Sequence, residues 1–124
     1  VELLTISTHA HDSFTVIALA GELDLSTSPQ LQQQVLLSRT RSSHLVFDLA
    51  GLTFMDTTGL RVIVNAHTHA RHNNGSVAVA GLTGGPLRVL EVTGLHECLP
   101  VFATLDEALS AACAAPETHY LDAT

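Results

Sequence analysis

The feature that most constrains this chain is an alternation of period. Short apolar, β-branched runs are separated by longer stretches in which apolar residues recur every three to four positions. A run of the first kind fits a strand, and a stretch of the second kind fits a helix with one buried face. Leu3–Ile6 and Phe14–Leu19, joined through a polar turn at His9–Ser13, read as a strand hairpin, with Gly21 closing the second strand. Ser28-Pro29 signals a helix start, because proline at the first helical position gives up only an amide that had no partner. Thr27 and Gln30 have capping-box spacing. Leu31, Val35 and either Gln34 or Ser38 follow one face of that helix.

His44–Leu49 is short and nearly all apolar, as expected of a strand buried on both faces. From Thr57 the period lengthens. Leu60, Ile63, Ala66 or His67, and Ala70 form a stripe, with Arg61, Asn65, Thr68 and His72 opposite, and Asn73-Asn74-Gly75 closes the helix. Val77–Ala80 reads as a strand, Pro86–Val92 as a helix ending at Gly94, and Leu99–Phe102 as a last short strand. Thr83-Gly84-Gly85-Pro86 is the turn into that third helix. Thr104 and Glu107 have capping-box spacing ahead of a fourth helix whose inner stripe is Leu105, Ala108, Leu109 and Ala112.

The order is ββαβαβαβα. After the hairpin, each strand–helix–strand unit implies parallel neighbours and right-handed crossovers. The expectation is one α/β domain, a mixed sheet with helices packed on it, over residues 1–115, and a loose tail at 116–124. Aromatic residues make up only 4%, without tryptophan, so the core must come from Leu, Val, Ile and Ala.

Five cationic residues, all Arg, against twelve acidic ones give a net charge of −7. Nucleic acid and anionic membrane are therefore not expected partners, since phosphate binding needs a basic field. No apolar run approaches the roughly 20 residues of a membrane span, and nothing reads as a secretory leader. Cys98 and Cys113 lack metal-ligand spacing and adjacent cations, and read as small core residues of a reduced, cytoplasmic protein.

Chemistry concentrates in Asp48–Leu60. A buried strand runs out into a loop, and a hydroxyl pair opens the next helix. Free amides and the positive end of the helix dipole favour negative charge there, so a phosphate on Thr57 could lie against them. The plainer reading is that Asp56 or Thr57 is an N-cap.

Gly21-Glu22-Leu23-Asp24, Phe54-Met55-Asp56-Thr57-Thr58-Gly59-Leu60 and Val92-Thr93-Gly94-Leu95 resemble the three landmarks of STAS domains, and more narrowly of bacterial anti-sigma factor antagonists. The likeness runs from about Leu3 to Ala114, and the Met-Asp-hydroxyl-hydroxyl-Gly-Leu stretch is its specific part. The resemblance implies that Thr57 is phosphorylated by a partner that is both anti-sigma factor and serine/threonine kinase. The unmodified form would bind that partner and free the sigma factor, and a phosphatase acting on phospho-Thr57 would reset the switch. It also implies that Asp24 lies near the modified hydroxyl, with Asp56, Thr58, Gly59, Leu60 and Arg61 flanking the contact face. Relatives most often carry Ser where this chain has Thr57, and a small residue where it has Arg61. The alternative is a STAS scaffold or small-ligand module that works without phosphorylation.

No enzyme is expected. His67, His69 and His72 do not converge as three metal ligands on a helix. Asp48 reads as the end of a strand bonding nearby amides, and the absence of Lys excludes a phosphate-cradling loop of the Gly-Lys type. Neither a cofactor nor a metal is called for.

Overall fold

In the computed structural model, which describes residues 3–111, the elements are β1 (Leu4–His11), β2 (Phe14–Leu23), α1 (Ser28–Arg39), β3 (His44–Met55), α2 (Thr57–His72), β4 (Ser76–Ala80), α3 (Gly84–Thr93) and β5 (Val101–Phe102). A 3₁₀ turn at Leu95–Glu97 follows α3. Residues 105–111 are helical and begin α4. Thr104 accepts a bond from the Glu107 amide at its start, at 3.2 Å. The expected stripe residue Ala112, Cys113 and the 116–124 tail lie outside the described residues.

The five strands stand in sequence order, β1–β2 antiparallel and the remaining pairs parallel. With strands in sequence order, right-handed crossovers send every connecting helix to the same side of the sheet. Accordingly Leu31 and Val35 of α1, Leu60, Ile63 and Ala66 of α2, and Leu90 of α3 share one core with Ile17, Leu19, Leu45, Phe47, Leu49, Val77 and Val79. The opposite sheet face carries Val16, Val46, Ala78 and Ala80, packed by Ala108, Leu105 and Leu109 of α4 and by Phe102.

Some bounds differ from expectation: β1 runs on to His11, into the expected turn, α3 already begins at Gly84, so Gly84-Gly85-Pro86 is its first turn rather than a lead-in, and the last strand is only Val101–Phe102. Three further expectations need correction. The second strand does not end at Gly21 but continues to Leu23: Gly21 takes φ +105, and a Cβ there would collide with the Leu3 carbonyl. The third strand does not end at Leu49. Two register shifts, between the partners of Ala18 and Ala20 and between those of Gly21 and Glu22, each insert an extra residue on β3. Each insertion flips the side that alternate residues face. Buried positions therefore step from Leu49 to Leu52 to Met55, a spacing that hides strand character from a reader of alternation. Asp48 consequently sits within β3 rather than at its end, with its carboxylate accepting the Ala50 amide at 3.2 Å. Third, Thr27 does precede α1 but makes no capping box. Its hydroxyl donates to the Glu22 carbonyl at 2.9 Å and accepts the Asp24 amide at 2.9 Å.

His67 is half-buried on α2, with both ring nitrogens sealed from solvent and without a hydrogen-bond partner among the described residues. Burial first, and the Arg71 charge second, push its pKa below the ordinary 6.5; the nearby Cys98 backbone opposes this only weakly. The folded state therefore resists a proton that the unfolded chain accepts. Stability carried by this group is present above pH 6.5 and is lost as pH falls through that value toward the depressed folded pKa. The expected outcome for His67→Leu is a gain of about 1 kcal/mol at pH 8, from removing unpaired buried polar atoms. The gain should widen toward pH 5, as read by urea denaturation across that range.

Candidate functional site

The site is the single-residue junction between β3 and α2. Asp56 fills it and uses every polar group it has for structure. Its amide donates to the Leu23 carbonyl at 3.1 Å, its carbonyl accepts the Leu60 amide at 3.1 Å, and its carboxylate accepts the Gly59 amide at 3.0 Å. Of the two candidate caps, Asp56 is the N-cap. Thr57, the first helical residue, is left exposed, and among the described residues no side-chain hydrogen bond engages its hydroxyl. Thr58 is half-buried beside it, and Arg61 is exposed one turn further on.

Gly59 and Leu60 lie beneath this surface and position it. Leu60 is 2% exposed. Gly59 sits where a Cβ would collide with Leu23, entering its side chain at Cγ and coming within 2.9 Å of Cδ2 and 3.1 Å of its carbonyl oxygen. A glycine is needed there because the helix crosses β2 too closely for any side chain.

The Asp56–Leu23 bond also brings Asp24 to the junction, since Asp24 follows Leu23 directly. Its carboxylate folds back on its own loop, accepting the Ser26 hydroxyl at 2.7 Å, the Ser26 amide at 3.0 Å and the Thr27 amide at 3.1 Å. The Ser26 hydroxyl bond is the main cause holding the Asp24 carboxyl below its ordinary range; desolvation, next in size, opposes it, and the bonds from Thr27 and the Ser26 amide each add a smaller pull downward. Asp24 thus rigidifies the rim of the site.

Two apolar residues at this end of the sheet escaped sequence reasoning. Leu25 is 72% exposed on the Asp24 loop, and Phe54 is 49% exposed three residues before Thr57. Asp-Leu-Ser-Thr at 24–27 is an Asx/ST-turn signature that could have placed Leu25 outward. Phe54 had no such signal, because its outward face depends on the β3 bulges.

The other candidates lie elsewhere. His69 and His72 are exposed on the last turns of α2, and no group of three His, Cys, Asp or Glu is arranged to hold a metal ion among the described residues. Cys98 is exposed, contrary to its expected place in the core, because it follows the 3₁₀ turn at the surface while Leu99 turns inward. No described helix is long and apolar enough to cross a membrane.

A family model described as the STAS domain matches residues 5–108. The chain is similar to the anti-sigma F factor antagonist of Paenibacillus polymyxa, 31% identical over 101 residues that cover 80% of this chain and 86% of that protein. It also matches the crystal structure of an anti-sigma factor antagonist from Mycobacterium paratuberculosis, with TM-score 0.77 and 26% identity over 88% of this chain and 93% of that one. SpoIIAA, an anti-sigma factor antagonist, has the same fold in its unphosphorylated form, with TM-score 0.73 and 19% identity over 86% of this chain and 95% of that one. In the phosphorylated form of the Bacillus protein the TM-score is 0.68, again at 19% identity, over 86% and 98% of the two chains.

Replacing Gly59 with Ala sets two effects against each other. Helix propensity favours Ala by about 1 kcal/mol, whereas overpacking against a buried partner costs about 1–3 kcal/mol. Because Leu23 is fully buried and its carbonyl is already committed to Asp56, the clash dominates. Gly59→Ala is expected to lower the urea midpoint and to shift the amide resonances of residues 56–60.

Proposed function

The chain belongs to the STAS domain family, and from that membership we propose that it is an anti-sigma factor antagonist, a protein-binding switch whose control point is Thr57. In this reading the unmodified protein docks an anti-sigma factor through the face around Thr57, Thr58 and Arg61, with Leu25 and Phe54 as its apolar rim. The anti-sigma factor then releases its sigma factor. The same partner acts as a serine/threonine kinase: the Thr57 hydroxyl oxygen, losing its proton, attacks the γ-phosphorus of ATP held by the kinase, and ADP leaves. A phosphatase hydrolyses the phosphothreonine and resets the switch.

The observation that carries this reading is the division of labour at the junction. Asp56 takes the capping role, so Thr57 presents a free hydroxyl on a rigid helix start. Phosphorylation adds a charge of about −1.5 to −2 at that point. Seating such a charge in a docked interface where the partner offers it no cation costs energy, on the order of several kcal/mol where it stays unpaired, by analogy with unpaired buried ions. About 1.4 kcal/mol already weakens binding tenfold, so dissociation needs no change of fold. A working place in the cytoplasm, beside the transcription machinery, goes with this reading. So does the absence of any catalysis by the chain itself.

The test is co-purification from the source cell with wild-type, Thr57→Ala and Thr57→Asp baits. Thr57→Ala should retain an anti-sigma factor in the presence of ATP, and Thr57→Asp should lose it by tenfold or more. Incubation of the wild type with that partner and ATP should add the mass of one phosphate at Thr57. Equal retention of wild type and Thr57→Asp, with no added mass, would favour a STAS scaffold that works without phosphorylation.

A further inference from the structure

Thr57 and Arg61 are four residues apart on α2, and both are exposed. Residues at that spacing are neighbours on one helix face, with about 5–6 Å between their Cβ atoms. Arg61 is the only cation in the first two turns of the helix. The one ion pair among the described residues joins His11 to Asp12, so the Arg61 guanidinium is not held by a carboxylate there. From this juxtaposition we propose that Arg61 is the internal receiver of the phosphate on Thr57, closing an ion pair over the first turn of α2. The proposal rests on the reading of Thr57 as the phosphoacceptor and adds what the modified state does with its charge.

The chemistry suits the geometry. A guanidinium presents paired N–H donors that match two phosphate oxygens, and it remains charged at every working pH. The anion lies N-terminal to the cation, which is the favourable order for a pair at this spacing. The phosphate also stays at the positive end of the helix dipole. Arg61 is exposed on α2, so its flexible side chain is free to reach the phosphate without moving the backbone that Asp56 and Gly59 hold.

The consequence is a face that changes in two ways with one modification. Unmodified, it offers a free arginine to a partner carboxylate. Modified, it presents a phosphate and at the same time withdraws that arginine. An acidic contact on the partner would lose its counter-ion as well as meet a new anion.

The measurement is made on full-length protein carrying genetically encoded phosphothreonine at position 57, so no kinase is required. A ³¹P titration at low ionic strength reads the second ionisation of the phosphate. Asp56 at the junction and Asp24 beside Leu23, with Glu22 on the same strand end, are acidic residues that stay the same in wild type and variants, so their effect on the second ionisation is common to all of them. The difference between chains therefore isolates Arg61. A cation beside the dianion lowers the midpoint, and pair strengths at this spacing correspond to a drop of about 0.3 pH unit relative to Arg61→Ala. Arg61→Lys should recover part of that drop, and Arg88→Ala, exposed on α3, should titrate like the wild type. Matching amide spectra away from residue 61 establish that the variants are folded. Equal midpoints for wild type and Arg61→Ala overturn the proposal while leaving phosphorylation at Thr57 intact. Failure of a partner kinase to modify Thr57 would remove the switch but not alter this titration.

Discussion

Helix α2 approaches strand β2 so closely at Gly59 that a single added carbon would enter the Leu23 side chain. The same Leu23 supplies the carbonyl that accepts the Asp56 amide, so side chain and backbone of one buried residue anchor the start of the helix. Everything exposed at that start inherits its position from this contact. Thr57 on the first turn and Arg61 at the start of the second stand on a helix start held by the Asp56 cap and by its bond to Leu23. A rigid mount matters for a docking surface, because a partner then meets the hydroxyl without having to order it first.

The bulges of β3 serve the same end. By inserting two residues against β2, they turn Met55 inward as the last core contact and leave Asp56 alone to bridge into α2. A longer loop would let the junction fray, and loops are where local opening concentrates. The charge balance completes the picture: in a chain of net charge −7 the exposed face of the helix start still carries Arg61 one turn from the Thr57 hydroxyl. Arg61 is the one cation in the first two turns of the helix, next to the acidic cap Asp56.

Much of the architecture was legible in the residues. The α2 stripe of Leu60, Ile63, Ala66 and Ala70 is buried as its spacing predicts, and the strand–helix alternation yields the observed parallel pairs. What failed was local and has local causes. Alternation cannot reveal Ala50–Met55 as strand, because each bulge resets the side that residues face. Thr27 has the spacing of a capping box, yet its hydroxyl finds the Glu22 carbonyl, a partner five residues back that no helix rule anticipates. Cys98 is apolar enough for a core but directly follows a surface 3₁₀ turn that sequence reading did not resolve. At the site, Asp56 and Thr57 were both visible as candidate caps; only the Gly59 bond decided between them, and that decision is what frees Thr57.

The central claim is that charge at Thr57 acts locally, on a fold that does not rearrange. Residue-resolved amide shifts, compared between unmodified protein and protein bearing phosphothreonine at 57, test it most directly. The account predicts changes confined to residues 56–61 and the neighbouring 22–27 loop, with the core strands β3 and β4 unmoved up to Leu49 and Ala80. Shifts spread through α1, β4 and α3 would contradict it, because they would make the switch a conformational change rather than a charge placed on a fixed surface.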